Sequence, residues 1–158
     1  MTIITVTTPH GRLSLAQRRH LAQALTDAVL EPEVGQLATP ARIGFQVHFV
    51  ERSLDAMAIG GVLLCDQPEA PDVATIDICV MDGAWPEATR KQVIENTLAA
   101  MTQGCGTALP SSSWWVTFRV IEEGSWGSRG GVTSIFDLLR SGVFTPAKEA
   151  EIRRTLER

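Results

Sequence analysis

Thr2, Arg12 and Arg129 are the residues whose type and position best suit chemistry. If Met1 is removed, an amino-terminal Thr carries both a hydroxyl nucleophile and an α-amine able to activate it, the amine having an ordinary pKa of roughly 7.7–8.0. Retention of Met1 removes that chemistry and leaves Thr2 an ordinary strand residue. Arg12 follows the first predicted strand, where a guanidinium can take an anion through a two-pronged contact. Arg129 lies in the run Gly124-Ser125-Trp126-Gly127-Ser128-Arg129-Gly130-Gly131 ahead of a predicted helix, a setting in which backbone amides can cradle an anion. The run lacks the lysine of a P-loop and the preceding strand of a dinucleotide fingerprint, so it reads as a hairpin beside a pocket.

Other reactive types point elsewhere. Cys105 sits between Gly104 and Gly106 with no histidine placed by the sequence to activate it. His10, His20 and His48 are isolated and no C-x-x-C occurs, so neither metal nor cofactor is expected. His48 alternates with Gln46 and Val50, which suits a polar pair facing a subunit interface. Trp85, Trp114, Trp115 and Trp126 suit a core or an interface.

The elements that hold these residues are written twice. Laying Thr2 over Ala74 aligns Ile4 and Val6 with Ile76 and Ile78, and Gly11 with Gly83. Each copy begins with an alternating strand. Ser14 and Gln17 form a capping box, and Leu21, Leu25 and Ala28 recur at helical spacing, predicting a helix from about Leu15 to Leu30. In the second copy Pro86 suits a first helical turn, Ile94, Leu98 and Met101 form the stripe, and Gly104 is the expected stop. Apolar strands follow, Ile43 to Glu51 and Trp114 to Glu122, each succeeded by a glycine pair, Gly60-Gly61 and Gly130-Gly131.

The prediction is an α/β (α+β) fold of two consecutive βαβ units, giving a four-stranded mixed sheet with both helices on one face. One domain spans 1–158. The first unit covers 2–65, a linker 66–72, the second unit 73–131, and a helical tail 132–158 serves as a surface or subunit-packing element.

The sequence has 158 residues, 14 Lys plus Arg against 18 Asp plus Glu, a net charge of -4 and 44% hydrophobic residues. This is a globular composition with no basic patch for nucleic acid and no run near the roughly 20 apolar residues of a membrane span. A cytoplasmic location is expected. Three cysteines, an odd number, are expected to be reduced.

The doubled strand-Gly-Arg-helix-strand-Gly-Gly pattern resembles the tautomerase superfamily and its MIF-like fold. It is most similar to the cis-3-chloroacrylic acid dehalogenase family. That likeness is carried by Gly11-Arg12-Leu13, Ala24-Leu25-Thr26-Asp27-Ala28, Phe45-Gln46-Val47-His48-Phe49 and Ile59-Gly60-Gly61-Val62. Trp115-Val116-Thr117-Phe118 is similar to the last core strand, and Trp126-Gly127-Ser128-Arg129 to the malonate semialdehyde decarboxylase branch.

The resemblance implies a homotrimer, with an amino-terminal proline as proton-transfer group and arginines holding a small carboxylate. Thr2 stands at the proline position, so that base is missing. Val29, Met81 and Ala84 stand where the dehalogenase family has a histidine and two arginines, and Thr117 replaces its tyrosine. Arg12 carries over. The implied function is a tautomerase of altered mechanism, weakly active on a small enol, 2-oxo or unsaturated carboxylic acid. Substrate would be held by Arg12, Arg129 and Thr117. The alternative is a noncatalytic trimer that binds a small carboxylate or serves a regulatory role.

Overall fold

The structure, a computed structural model, describes residues 1–156; residues 157 and 158, the last two of the expected tail, lie outside the described residues. Strand β1 (Thr2–Pro9) leads into helix α1 (Leu15–Val34) and then β2 (Phe45–Arg52), which pairs parallel to β1. A short hairpin, β3 (Ala58–Ile59) and β4 (Val62–Leu63), precedes the second unit. There β5 (Ala74–Met81), helix α2 (Glu87–Cys105) and β6 (Trp114–Ile121) repeat the arrangement, with β5 and β6 parallel. A second hairpin follows, β7 (Gly127–Ser128) and β8 (Gly131–Val132), then helices α3 (Ile135–Leu139) and α4 (Pro146–Leu156). The main sheet runs β2-β1-β5-β6, and only its central pair, β1 with β5, is antiparallel. The mixed sheet of two βαβ units is the one the sequence repeat predicts.

Strand alternation sorts the two faces. Ile4 and Val6 of β1 and Ile76, Ile78 and Val80 of β5 are buried against Leu21, Leu25 and Val29 of α1 and Val93 and Met101 of α2. The Ser14–Gln17 capping box closes the start of α1 as expected. α1 runs one turn beyond the predicted end and contains Pro32. A proline there has no N–H for the carbonyl of Ala28, and the Asn96 side chain of α2 donates to that oxygen instead, at 3.4 Å. The buried stripe of α2 is Val93, Thr97, Ala100 and Met101, rotated slightly from the expected one, with Ile94 and Leu98 only partly covered.

Gly104 is not the stop. α2 continues to Cys105 and ends at Gly106 in the left-handed conformation. Gly104 instead lets the two helices approach closely, since a Cβ there would lie 2.6 Å from Leu21 Cδ2.

The tail is more than a surface element. Ile135 and Leu139 of α3, Phe144, and Ile152 of α4 join Leu30, Val34 and Met81 in a second core, against which Met1, Phe45 and Trp126 pack. The tail therefore covers the end of the sheet where β1 begins. Its docking depends on Gly35, which ends α1 at φ 84 and lets Thr145 approach until its N–H donates to the Val34 carbonyl at 2.9 Å.

A Cβ at Gly35 would fall 2.3 Å from Thr145 Oγ1. Gly35→Ala is expected to cost roughly 1–3 kcal/mol, combining left-handed strain with the clash. Urea unfolding checks this. A midpoint equal to that of the wild type would contradict the close docking of the tail.

Candidate functional site

Because β1 and β5 run antiparallel, the starts of β1 and β2 meet the ends of β5 and β6. Thr2 lies across from Phe45 on one side and Val80 on the other, and Val80 across from Val120. On the face away from the helices this convergence leaves a depression of about 420 Å³. Ile3, Gln46 and Cys79 line it from the central strands, Met1 from the chain start, and Trp126 and Ser128 from the loop before β7 and from β7 itself. The Met1 carbonyl accepts a hydrogen bond from Met81 N–H at 3.4 Å, extending the β1–β5 ladder by one residue.

Thr2 itself turns the other way. It is 1% exposed, and its hydroxyl donates to Glu33 Oε2 at 2.9 Å. Glu33 lies in the last turn of α1 and is 8% exposed, and its Oε1 stands 3.9 Å from the α-amino nitrogen of Met1. Burial pushes the Glu33 carboxyl up, while the amine, the Thr2 hydroxyl and Lys148 of α4 pull it back. Met1 thus touches both the depression and the buried carboxylate behind it. The Thr2 hydroxyl faces only the carboxylate.

Arg12 sits beyond the opposite end of β1. Glu51 fixes the turn there by accepting the Gly11 N–H at 2.8 Å and Arg18 Nη2 at 2.7 Å, and the Gly11 bond is the main cause of its lowered carboxyl pKa. Arg12 then places a two-pronged fork on Asp72, Nε to Oδ1 and Nη2 to Oδ2, each at 2.6 Å. This pairing raises the Arg12 pKa. Within one chain Arg12 and Thr2 stand at opposite ends of β1.

Thr117 lies mid-strand on the uncovered face, donating to Asp77 Oδ1 at 3.0 Å, while Arg119 forks onto Asp77 Oδ2. His48 and Gln46 share that face, joined at 3.0 Å between Nε2 and Oε1. Arg129 occupies the β7–β8 turn with φ 53, followed by Gly130 at φ 79, the left-handed pair a two-residue hairpin requires. Arg129 is exposed and directly follows Ser128 of the depression's lining, and among the described residues its guanidinium has no hydrogen-bond or ion-pair partner. Val29, Met81 and Ala84 are buried in the two cores. Among the described residues no group of three or more His, Cys, Asp or Glu side chains is placed to hold a metal ion, and no helix is long and apolar enough to cross a membrane.

Sequence reasoning missed Glu33, Asp72 and Lys148. A signal existed for Glu33. It continues the apolar stripe Leu25, Val29 at four-residue spacing, and a carboxylate on the core face of a helix needs a buried partner. No comparable pattern marks Asp72, whose partner is 60 residues away.

No family profile matches the chain, and no curated protein does either. Solved structures do match. A fused 4-OT is 17% identical, covering 87% of this chain and 99% of that one with a TM-score of 0.68. A fused 4-OT symmetric trimer is 16% identical, with coverages of 84% and 96% and a TM-score of 0.66. N1, a member of the cis-3-chloroacrylic acid dehalogenase family, is 17% identical, covering 96% of this chain and 99% of its own, with a TM-score of 0.67. These are tautomerase-superfamily structures, and the chain shares their fold.

Two expected outcomes follow from the geometry. The Glu33 carboxyl is raised in the folded chain, so its contribution to stability is present below the unfolded carboxylate pKa and is lost as pH rises through the folded value. The stability difference between Glu33→Gln and wild type should therefore shift in favour of Gln as pH rises from about 4 towards neutrality. Urea titrations across that range measure it, and a pH-independent difference would contradict the burial. For Arg12 and Asp72, a double-mutant cycle with alanine should return a coupling of about 1 kcal/mol, modest because both side chains remain partly solvated. Zero coupling would mean the fork does not persist in solution.

Proposed function

We propose that this chain is a tautomerase of altered mechanism, acting weakly on a small enol, 2-oxo or unsaturated carboxylic acid. The observation that carries the reading is Met1, which lines the depression and whose α-amine stands 3.9 Å from Glu33, together with the unpaired Arg129 next in sequence to the lining residue Ser128. A neutral amine there takes the hydroxyl proton of an enol and returns a proton to carbon, so the O–H bond breaks, C–O becomes C=O, C=C becomes C–C and a new C–H bond forms. Arg129 supplies a two-pronged contact to the substrate carboxylate. The base is the amine of Met1, or of Thr2 where Met1 has been removed. The Thr2 hydroxyl, turned onto Glu33, takes no part.

Arg12 serves such a substrate only in a neighbouring copy and only after leaving Asp72. Thr117 acts through Asp77 on the uncovered face. A homotrimer is part of the reading. Helices cover one face of the sheet, the other exposes Trp115 at 60%, and similar fused 4-OT structures are trimers. The cytoplasmic location expected from composition goes with it.

The second reading, a noncatalytic trimer holding a small carboxylate, is favoured by the burial of Val29, Met81 and Ala84 in the cores. Those positions offer a substrate nothing polar.

The test is ketonisation of phenylenolpyruvate, with Arg129→Ala beside wild type. Slow turnover is expected, with KM raised about tenfold or more in the variant, the worth of a charge-assisted contact of roughly 1.5–3 kcal/mol. Halide release from cis-3-chloroacrylate should be negligible. Carboxylate binding without turnover would leave the second reading standing, and a stable monomer by light scattering would contradict both.

A further inference from the structure

The buried carboxylate behind the depression has no role in packing the core. Glu33 ends a helix whose last carbonyls already present negative charge, a position that favours cations. It is nonetheless 8% exposed. Two oxygens, two uses: Oε2 accepts the Thr2 hydroxyl at 2.9 Å, and Oε1 faces the α-amino nitrogen at 3.9 Å. From α4 the charge of Lys148 also reaches it. Lys148 is itself 8% exposed, with Nζ on Thr89 Oγ1 at 3.3 Å and Glu151 Oε2 at 2.9 Å.

We propose that Glu33 is the positioning residue of this site: its carboxylate holds the α-amine of Met1, a residue that lines the depression, and governs how readily that amine releases its proton. The inference rests on the amine being the proton-transfer group proposed above. Thr2 fixes the carboxylate by its hydroxyl and the start of β1 by its backbone. Met1 is the residue that joins the depression on one side of the sheet to the carboxylate on the other, its amine lying on the carboxylate side. If Met1 is removed, the new amine belongs to Thr2, the residue already bonded to Glu33.

The charges facing Glu33 set the sign. The amine and Lys148 both favour the ionised carboxylate, and in the proposal the carboxylate in turn opposes proton loss from the amine. A working base must be neutral, so Glu33 moves the acid limb of the pH–rate profile to higher pH.

Two measurements on the full chain decide it. In the first, the Glu33 side-chain carbon is followed by NMR in wild-type protein labelled with ¹³C-glutamate, before and after acetylation of the α-amine. Loss of the amine's charge should move the Glu33 titration up by about one pH unit. An unchanged titration overturns the proposal, and this arm requires neither turnover nor a variant that must fold.

In the second, Glu33→Gln and Glu33→Asp are compared with wild type in enol ketonisation. The Gln variant should show its acid limb about one pH unit lower, with Asp, which keeps the charge, closer to wild type. A rate lowered equally at every pH in both variants, with the fold intact, would make Glu33 merely structural and overturn the proposal. Absence of wild-type turnover at any pH would instead refute the catalytic reading, while the NMR arm still decides the coupling of Glu33 to the amine.

Discussion

The antiparallel pairing of β1 with β5 is the constraint on which the remaining structure depends. Each βαβ unit is internally parallel, and this one ladder, with Ile4 opposite Ile78 near its middle, joins the halves within the main sheet. Its register sends Ile4, Val6, Ile76 and Ile78 to the helix face together, and a slip of one residue would turn all of β1 outward. Its direction matters as much. Thr2 lies beside Val80, at the end of β5, so the chain start is enclosed by strand ends, the loop before β7 and the tail. A parallel pairing would have set Thr2 beside Ala74 and the linker, far from every group that now surrounds Met1.

The same geometry explains the unequal fates of the polar residues. Charges at the solvent-facing margins find simple partners, as Arg12 does in Asp72 and Arg119 in Asp77. Glu33 is different because α1 runs under the sheet and delivers its last turn to the protected side of the chain start. Burial there costs free energy that an isosteric apolar residue would avoid. A carboxylate kept in such a place, facing an amine and a lysine from two other elements, is the arrangement of a site that controls a proton.

Much of this fold was legible because its cues are local and doubled. Alternation in β1 and β5, the Ser14–Gln17 box and the matched glycines each report short-range physics. Gly104 misled because a glycine near a helix end has two uses, and only the approach of Leu21 from the other helix reveals which one applies. The tail was underestimated for a similar reason. Lys148 and Ile152 sit among alternating charges, and their burial depends on the left-handed turn at Gly35 bringing Thr145 against α1. The places of Thr2, Arg12 and Arg129 along the strands and turns were legible, but the partners of Thr2 and Arg12 were not. Asp72 and Glu33 reach them only through tertiary contacts, and of the two Glu33 alone left a mark in the helical pattern.

The terminal residue decides the functional reading: its α-amine, ahead of either lysine, should be the amine that meets a ligand in the depression Met1 lines. The sequence offers a clean competition, since Lys91 and Lys148 are its only lysines, the first exposed and the second buried. Incubation with a small 2-oxo acid and cyanoborohydride would condense an amine with the ketone, lose water and reduce the resulting C=N bond, leaving a stable mass label. Peptide mass mapping over time should find the label on the terminal residue first, well ahead of Lys91. Labelling of the solvated Lys91 as fast as or faster than that of the terminal residue would contradict this assignment.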